Sequence, residues 1–289
     1  MRLITARLKN DDKQLLGLVN PERTHMAELK ALGFNFSNML ELIEQITPEE
    51  LKKLGQTDFT ATKNLYSLED LEFLSPIPKP KHDIICLGVN YAAHAAEFGR
   101  DAPEVPVYFG KRATSTTGHL GVLDGHLDVD EYLDYEVELA VIIGKKAKKI
   151  KPEEVEEHIF GYSVFNDFTS RTLQRGHMQW FLGKSTDGFA AMGPWIVTKD
   201  ELKMPFSLSL ESRVNGEVRQ KSNTDLMVHG INKVISQMSQ NIALYPGDII
   251  ATGTPSGVGM GFDPPKMLKK GDIVECEVEG VGVLKNTIG

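Results

Sequence analysis

Cysteine is almost missing from this chain of 289 residues: Cys86 and Cys276 stand far apart, with no Cys-x-x-Cys spacing. That scarcity excludes a disulfide framework and a thiolate metal site, and it fits a reducing cytoplasm. A long basic block is absent too. With a formal net charge of −8, a phosphate-backbone partner, which needs clustered Lys and Arg, is not expected. No run approaches the ~18 uninterrupted apolar residues of a membrane-spanning helix. The opening Met1-Arg2-Leu3-Ile4-Thr5-Ala6-Arg7 lacks the continuous apolar segment of a secretion signal. Nucleic acid, membrane and secretion are therefore set aside. No internal repeat stands out. What the chain does have is 41% hydrophobic content, enough for the core of a soluble globular protein with one large domain, or one domain and a smaller appendage.

The punctuation of the chain suggests the second arrangement. Arg2 to Leu8 and Gln14 to Val19 read as an opening hairpin about the turn residues Asn10-Asp11-Asp12. Ser37 is placed to cap a helix through Ile46, and Thr47-Pro48-Glu49-Glu50 matches a capping box with proline at the first helical position. Three prolines in Ser75-Pro76-Ile77-Pro78-Lys79-Pro80 stiffen the segment and remove donors. The boundary is drawn there: residues 1–78 as a small N-terminal α/β unit and 79–289 as the main domain. Beyond it strands dominate. Lys151-Pro152-Glu153-Glu154 opens a helix that Gly161 can close, and Leu226 to Leu244 carries apolar residues at helical spacing. Asn215-Gly216 signals a two-residue hairpin, and Ile273 to Ile288 a final hairpin turning at Glu279-Gly280. Many strands with few helices predict an α+β, β-dominated fold and not alternating βαβ units.

Candidate chemistry begins at Leu133 to Ile143. Side chains alternate along a strand, so Leu133, Tyr135, Val137, Leu139, Val141 and Ile143 share one face while Glu136 and Glu138 share the other. Two neighbouring carboxylates repel, and solvent, a proton or a cation relieves the repulsion. A wet strand face and half of a metal site are both open at this point. Tyr162 to Asp167 reads as a strand ending in a third carboxylate, followed by a helical turn that begins near Asp167 and carries Arg171 and Gln174. Asp167 is either a plain N-cap or the third member of an oxygen-only ligand set, one suited to Mg²⁺, Mn²⁺ or Ca²⁺. His94 and Glu97, three apart, share a face of a helical turn; they are a surface pair or a carboxylate-oriented base. Lys184 lies among small residues, and if buried it needs an anion. Gly253 and Thr254 sit in a glycine-rich loop without P-loop chemistry, either an ordinary turn or donors to a substrate oxygen.

In this order, the segments Asn90 to Glu97, Tyr135 to Gly144, Asn166 to Gln174, Gly183 to Asp187 and Thr252 to Gly259 resemble the fumarylacetoacetate hydrolase family over about residues 81 to 289. The resemblance implies a mixed β-roll or sandwich catalytic domain, usually a homodimer, with Glu136, Glu138 and Asp167 holding Mg²⁺ or Mn²⁺. His94 and Glu97 match the dyad of the acylpyruvase and oxaloacetate decarboxylase branch. Lys184 joins them as a catalytic position, while Arg171, Gln174 and Thr254 match substrate-contacting ones. The family's tyrosine-pathway member has a further aspartate ligand seven residues before its histidine, where this chain has Leu87, so bacterial members acting on small 2-oxo acids are the better match. The implied activity is metal-dependent C–C cleavage by hydrolysis or decarboxylation of a small 2-oxo acid or 1,3-dicarbonyl. An isomerase or lyase acting on 2-hydroxyhepta-2,4-diene-1,7-dioate or ureidoglycolate uses the same enolate chemistry, and a non-catalytic dimeric metabolite-binding scaffold is the alternative of another class.

Overall fold

Five successive apolar residues, Leu139-Ala140-Val141-Ile142-Ile143, leave the strand Val137–Ile143 no polar face to offer water, and it runs through the middle of the molecule. A computed structural model describes residues 1–62 and 64–289. In it this strand pairs antiparallel with Ile159–Asp167 on one side and Ile249–Ala251 on the other. Ile159–Asp167 pairs in turn with Ala190–Thr198. All three long strands are buried along their whole length, as strands covered on both faces are.

The coverings differ. One face carries Leu139, Val141, Val164 and Val197 into an apolar layer shared with Leu210, Val274, Cys276 and Leu284. Those partners belong to a five-stranded sheet whose strands include Ser209–Val214, Ile273–Val278 and Gly282–Ile288. The opposite face carries Ala140, Ile142, Phe165 and Ile196 against Met39, Leu42, Ile43 and Leu54 of two N-terminal helices. Each fully buried large aliphatic side chain in these layers contributes about 1.5–3 kcal/mol. The architecture is thus the β-dominated α+β fold anticipated, with two large mixed sheets face to face.

The opening hairpin forms as the alternation suggested, and its first strand, Arg2–Leu8, also hydrogen-bonds to Ala190–Thr198. The N-terminal strands thereby extend the central sheet to eleven strands. Thr47 caps Pro48–Leu54 with the full capping box, and Asn215-Gly216, with φ of 51° and 81°, turns the expected hairpin.

Four local expectations shift. Asn38 and not Ser37 caps Met39–Gln45: its side chain accepts the Glu41 N–H, while the Ser37 N–H donates to the Glu41 carboxylate. Gly161 closes no helix. The sheet claims it opposite Thr198, where a Cβ would come within 2.3 Å of the Val197 carbonyl oxygen, so a glycine is needed for close approach and not for a cap. The long helix runs only over Ile231–Asn241, because Asn90 pins Val228 and His229 through their backbone N–H groups and holds the preceding residues out of a helix. Finally, Asp167 is not an N-cap: the helix Arg171–Gly176 starts after Ser170, whose hydroxyl accepts the Leu173 N–H.

Candidate metal centre and its cavity

Where the strand Val137–Ile143 nears its start, the face that carries Ala140 and Ile142 turns acidic at Glu138 and Glu136. Val137 lies opposite Asn166, whose side chain accepts the Glu136 N–H, and the Asp167 N–H donates to the Glu136 carbonyl. This register puts Asp167 beside the glutamates. One oxygen from each of Glu136, Glu138 and Asp167 lies within 4.8 Å of the others, and the three residues are 5%, 1% and 0% exposed. Of the two readings of the glutamate pair, the wet face is excluded.

Buried carboxylates need counter-charge. Lys184 Nζ donates to Glu136 Oε2 and to Asp167 Oδ2, each at 2.6 Å. Lys111 Nζ donates to the other Asp167 oxygen at 2.6 Å and to the Phe168 carbonyl at 2.9 Å. Arg171 reaches Glu136 Oε1 at 2.9 Å and Asp134 Oδ2, through Nε, at 2.9 Å. Among the described residues Glu138 has one protein donor, the Gly253 N–H at 2.9 Å. Four buried carboxylates therefore face three buried cations. Burial, then repulsion from Asp167 and Glu136, pushes the Glu138 carboxyl well above its ordinary range. Burial acts on Glu136 in the same direction, but Lys184 and Arg171 outweigh it and hold that group below its usual value. For Lys184, burial is overcome by Asp167 and Glu136, which raise it; for Lys111 burial wins over Asp167 and lowers it. The cluster lacks one positive partner at Glu138, and its all-oxygen donors suit a hard divalent ion. The residues present fit a metal.

The dyad stands beside this cluster. On the helix Ala92–Glu97, His94 Nδ1 is 3.0 Å from Glu97 Oε2, and the other Glu97 oxygen accepts the Gly257 N–H at 2.8 Å. Phe98 packs edge-on to the imidazole. His94, Glu136, Arg171, Gln174, Lys184 and Thr254 line one cavity of about 390 Å³. Six residues singled out in the sequence share this wall, Glu97, Glu138 and Asp167 adjoin them, and Gly253 and Thr254 direct their donors inward. The Gly253 N–H is directed at Glu138, and the Thr254 hydroxyl donates to the Val137 carbonyl while accepting from Gln220, so these donors brace the metal strand before they can serve a substrate. Gln174 meets Arg171, accepting its Nη1–H at 3.1 Å.

Two charged members were missed. Asp134 accepts from Arg171 and from the Gly259 and Met260 N–H groups, tying the guanidinium to the glycine-rich loop. The signal was there: Asp134, Glu136 and Glu138 form one i, i+2, i+4 series. Lys111, at the end of Val107–Lys111, gave none, because its role depends on where a distant strand pairs.

A three-carboxylate centre sunk beside a histidine–glutamate pair, on a β-dominated frame, defines a metal-assisted enzyme of small-molecule chemistry. Known proteins of this build agree. The family described as "Fumarylacetoacetate (FAA) hydrolase C-terminal" matches residues 83–289, and the chain belongs to the fumarylacetoacetate hydrolase family. It is 46% identical over 227 residues, 78% of this chain and 75% of the relative, to the oxaloacetate tautomerase YisK of Bacillus subtilis. The fold is similar to that of a fumarylacetoacetate hydrolase from the psychrophile Exiguobacterium antarcticum, at a TM-score of 0.85 and 35% identity over 100% of this chain and 99% of the other. It is also similar to a maleylpyruvate hydrolase from Sphingobium sp. SYK-6, solved with manganese(II) and pyruvate, at a TM-score of 0.80 and 29% identity over 100% and 98%. Membership and the carboxylate cluster together support a metal-assisted, C–C-cleaving enzyme with a divalent-metal site. Among the described residues no helix is long and apolar enough to cross a membrane.

Proposed function

We propose that this enzyme takes a small 2-oxo acid through its enolate, with His94 carrying the proton, and that tautomerisation of oxaloacetate is the reaction its site supports best. The observation that carries the reading is the shared cavity: the oriented imidazole opens on the same 390 Å³ space as Lys184, Arg171 and Glu136. Mg²⁺ or Mn²⁺ held by Glu136, Glu138 and Asp167 would polarise the 2-oxo carbonyl and offset the charge that develops on its oxygen. The remaining work belongs to the protein. Glu97, accepting from Nδ1, directs the lone pair of Nε2 toward the substrate carbon that gains or loses a proton. Lys184 and Arg171, fixed by their carboxylate partners, present remaining N–H groups to the substrate carboxylate and oxyanion. The amide of Gln174 and the backbone about Gly253 and Thr254 complete the cradle. Trp180 and Phe109, packed edge to face, limit water.

C–C cleavage is the second reading. Hydrolysis of an acylpyruvate releases a carboxylic acid and the enolate of pyruvate, which a proton then quenches; His94 would deliver water to the remote carbonyl, and the similarity to a hydrolase solved with pyruvate favours it. Decarboxylation needs no attacking water. The homodimer that the family resemblance suggests and the reducing cytoplasm that the scarcity of cysteine fits belong to the same proposal, and light scattering tests the first.

The enol absorbance of oxaloacetate, followed with pyruvate release in parallel, separates these outcomes. With added Mg²⁺ or Mn²⁺ the enol signal should decay without matching pyruvate, and His94→Ala should slow it by about 10²–10⁴-fold. Equal rates in His94→Ala remove the histidine from this role. If oxaloacetate, acetylpyruvate and maleylpyruvate are all unchanged by the metal-loaded protein, the enolate reading fails.

A further inference from the structure

The glycine-rich loop stands between two carboxylates from distant parts of the chain. On one side the Gly257 N–H donates to Glu97 Oε1 at 2.8 Å, and Gly261 lies so close that a Cβ there would run into the same carboxylate. On the other, the Gly259 N–H donates to Asp134 Oδ1 at 2.6 Å and the Met260 N–H to Asp134 Oδ2 at 3.0 Å. Tyr135 adds a further tie, its hydroxyl donating to the Gly257 carbonyl at 3.0 Å. A single short loop is thus held by Asp134 and Tyr135 and itself holds Glu97.

Asp134 is fully buried, behind the wall to which Arg171 and Met260 contribute. Its carboxylate accepts more than a counter-ion to Arg171 would require. Arg171 Nε lies 2.9 Å and Nη2 2.8 Å from Oδ2, and the Tyr135 N–H joins that of Gly259 on Oδ1. A carboxylate offers about four lone-pair sites, and donors from the helix Arg171–Gly176, from the loop and from Tyr135 fill them. Arg171 meanwhile has Glu136 and Gln174 as partners of its own. In a cluster already short of positive charge, a further buried carboxylate worsens the balance. What Asp134 supplies is geometry.

The structure assigns Asp134 a positioning role in the reaction: through loop 257–261 it sets where Glu97 holds His94, and through Nε and Nη2 it sets the plane of Arg171. This rests on the enolate reading of the cavity and adds a residue that touches no substrate. A guanidinium gripped along one edge has its plane fixed, while Nη1 stays with Glu136 and Gln174. The dyad depends on the same grip at one remove. If the loop shifts, the Gly257 N–H no longer holds Glu97, and the carboxylate loosens its hold on His94 Nδ1.

Asp134→Asn replaces one acceptor oxygen by a donor amide of the same size, so at least one of the converging N–H groups is turned away. With added Mg²⁺, oxaloacetate tautomerisation should show kcat lower by about 10²-fold, the cost of a misplacement of about 1 Å, and a raised KM. Gly261→Ala displaces Glu97 and leaves Arg171 alone, so it should lower kcat with KM unchanged. In a Glu97→Gln background, Asp134→Asn should cost kcat less than about twofold more. Magnetic resonance of isotope-labelled histidine nitrogens in the Mg²⁺-loaded protein, with His94 assigned against His94→Ala, reads the displacement without turnover. The proton fixed on Nδ1 in the unaltered protein should exchange between both ring nitrogens in Asp134→Asn and Gly261→Ala. Tyr135→Phe, which removes only the hydroxyl on Gly257, should give a smaller change of the same kind, and it carries the test if Asp134→Asn does not fold. An unmoved Nδ1 proton in the folded variants, or kcat losses for Asp134→Asn and Glu97→Gln that multiply, overturns the assignment. A moved proton without turnover of any 2-oxo acid upholds the positioning role and sinks the enolate reading; turnover with the proton unmoved does the reverse.

Discussion

The chain contains two Glu-x-Glu pairs on strands, Glu136 with Glu138 and Glu275 with Glu277, and the structure makes different objects of them. The second pair alternates with buried Val274, Cys276 and Val278 on the outer face of the five-stranded sheet. Its side chains are 25% and 44% exposed, against 7% for Glu136. Arg213 bonds both at 3.2 and 2.9 Å and reaches Glu211 at 2.7 Å, while Lys221 and Lys285 flank them at 3.3 Å. Three carboxylates meet three cations there, with water on one side. The inner cluster has one carboxylate too many, and all its members are buried. Spacing is common to both pairs, so function follows from burial and from the missing counter-charge at Glu138.

Removing a cation should expose the contrast most sharply. Lys111→Met leaves Asp167 Oδ1 and the Phe168 carbonyl without their donor in a buried site, and breaking such a pair costs about 3–5 kcal/mol, whereas Arg213→Met on the wet face should cost about 1 kcal/mol or less. Urea denaturation reads both, and equal losses would erase the distinction. Glu138→Gln should weaken Mn²⁺ binding by more than about 100-fold, beyond the usual loss from a residue that only supports a ligand, while Glu277→Gln leaves calorimetric binding unchanged.

One member of each pair, Glu138 and Glu275, should respond to pH with opposite sign once metal is stripped by EDTA. Glu138 is raised above its ordinary 4.5; the folded state then holds the proton more tightly, so stability falls as pH climbs above 4.5, and Glu138→Gln removes the fall. For Glu275, partial burial opposes, but bonds from Arg213 and Lys285 prevail and lower it. Its contribution is present above 4.5 and is lost as pH drops through the lowered value. Melting temperatures of Glu138→Gln and Glu275→Gln at stepped pH that depart from the unaltered protein with one sign would break the comparison. The smallest effect concerns salt. At 1 M NaCl, where screening acts over about 3 Å, the cost of Arg213→Met should shrink toward zero and that of Lys111→Met should persist.

The difference between the two pairs was in part legible. Strict alternation through Ile273-Val274-Glu275-Cys276-Glu277-Val278 describes a strand with a wet face, whereas Glu138 leads into five apolar residues in a row, the mark of a strand with none. Local signals of turn and cap were equally readable at Asn215-Gly216 and Thr47, because their physics lies within four residues. The spacing of His94 and Glu97 gave their contact for the same reason. Lys111 and the two-sided coverage of Gly161 were not readable: each depends on which distant strand arrives alongside, and a β-sheet draws its neighbours from far along the chain. Ser37 and the ends of the helix Ile231–Asn241 failed by small margins, where competing hydrogen bonds from Glu41 and Asn90 decide.

The strand Arg2–Leu8 pairs at Leu3 with Ile196. During synthesis the Arg2-Leu3 end of its outer edge therefore waits for roughly two hundred residues to be added, about ten to forty seconds at ribosomal rates, while the Ala6–Leu8 end is covered earlier by Leu71–Phe73. Throughout that interval this end of the hairpin presents unpaired backbone and buried-type side chains such as Leu3 and Ile4 to solvent, an open invitation to edge-to-edge association. The nascent protein is thus expected to be a chaperone client for far longer than its local hairpin takes to form.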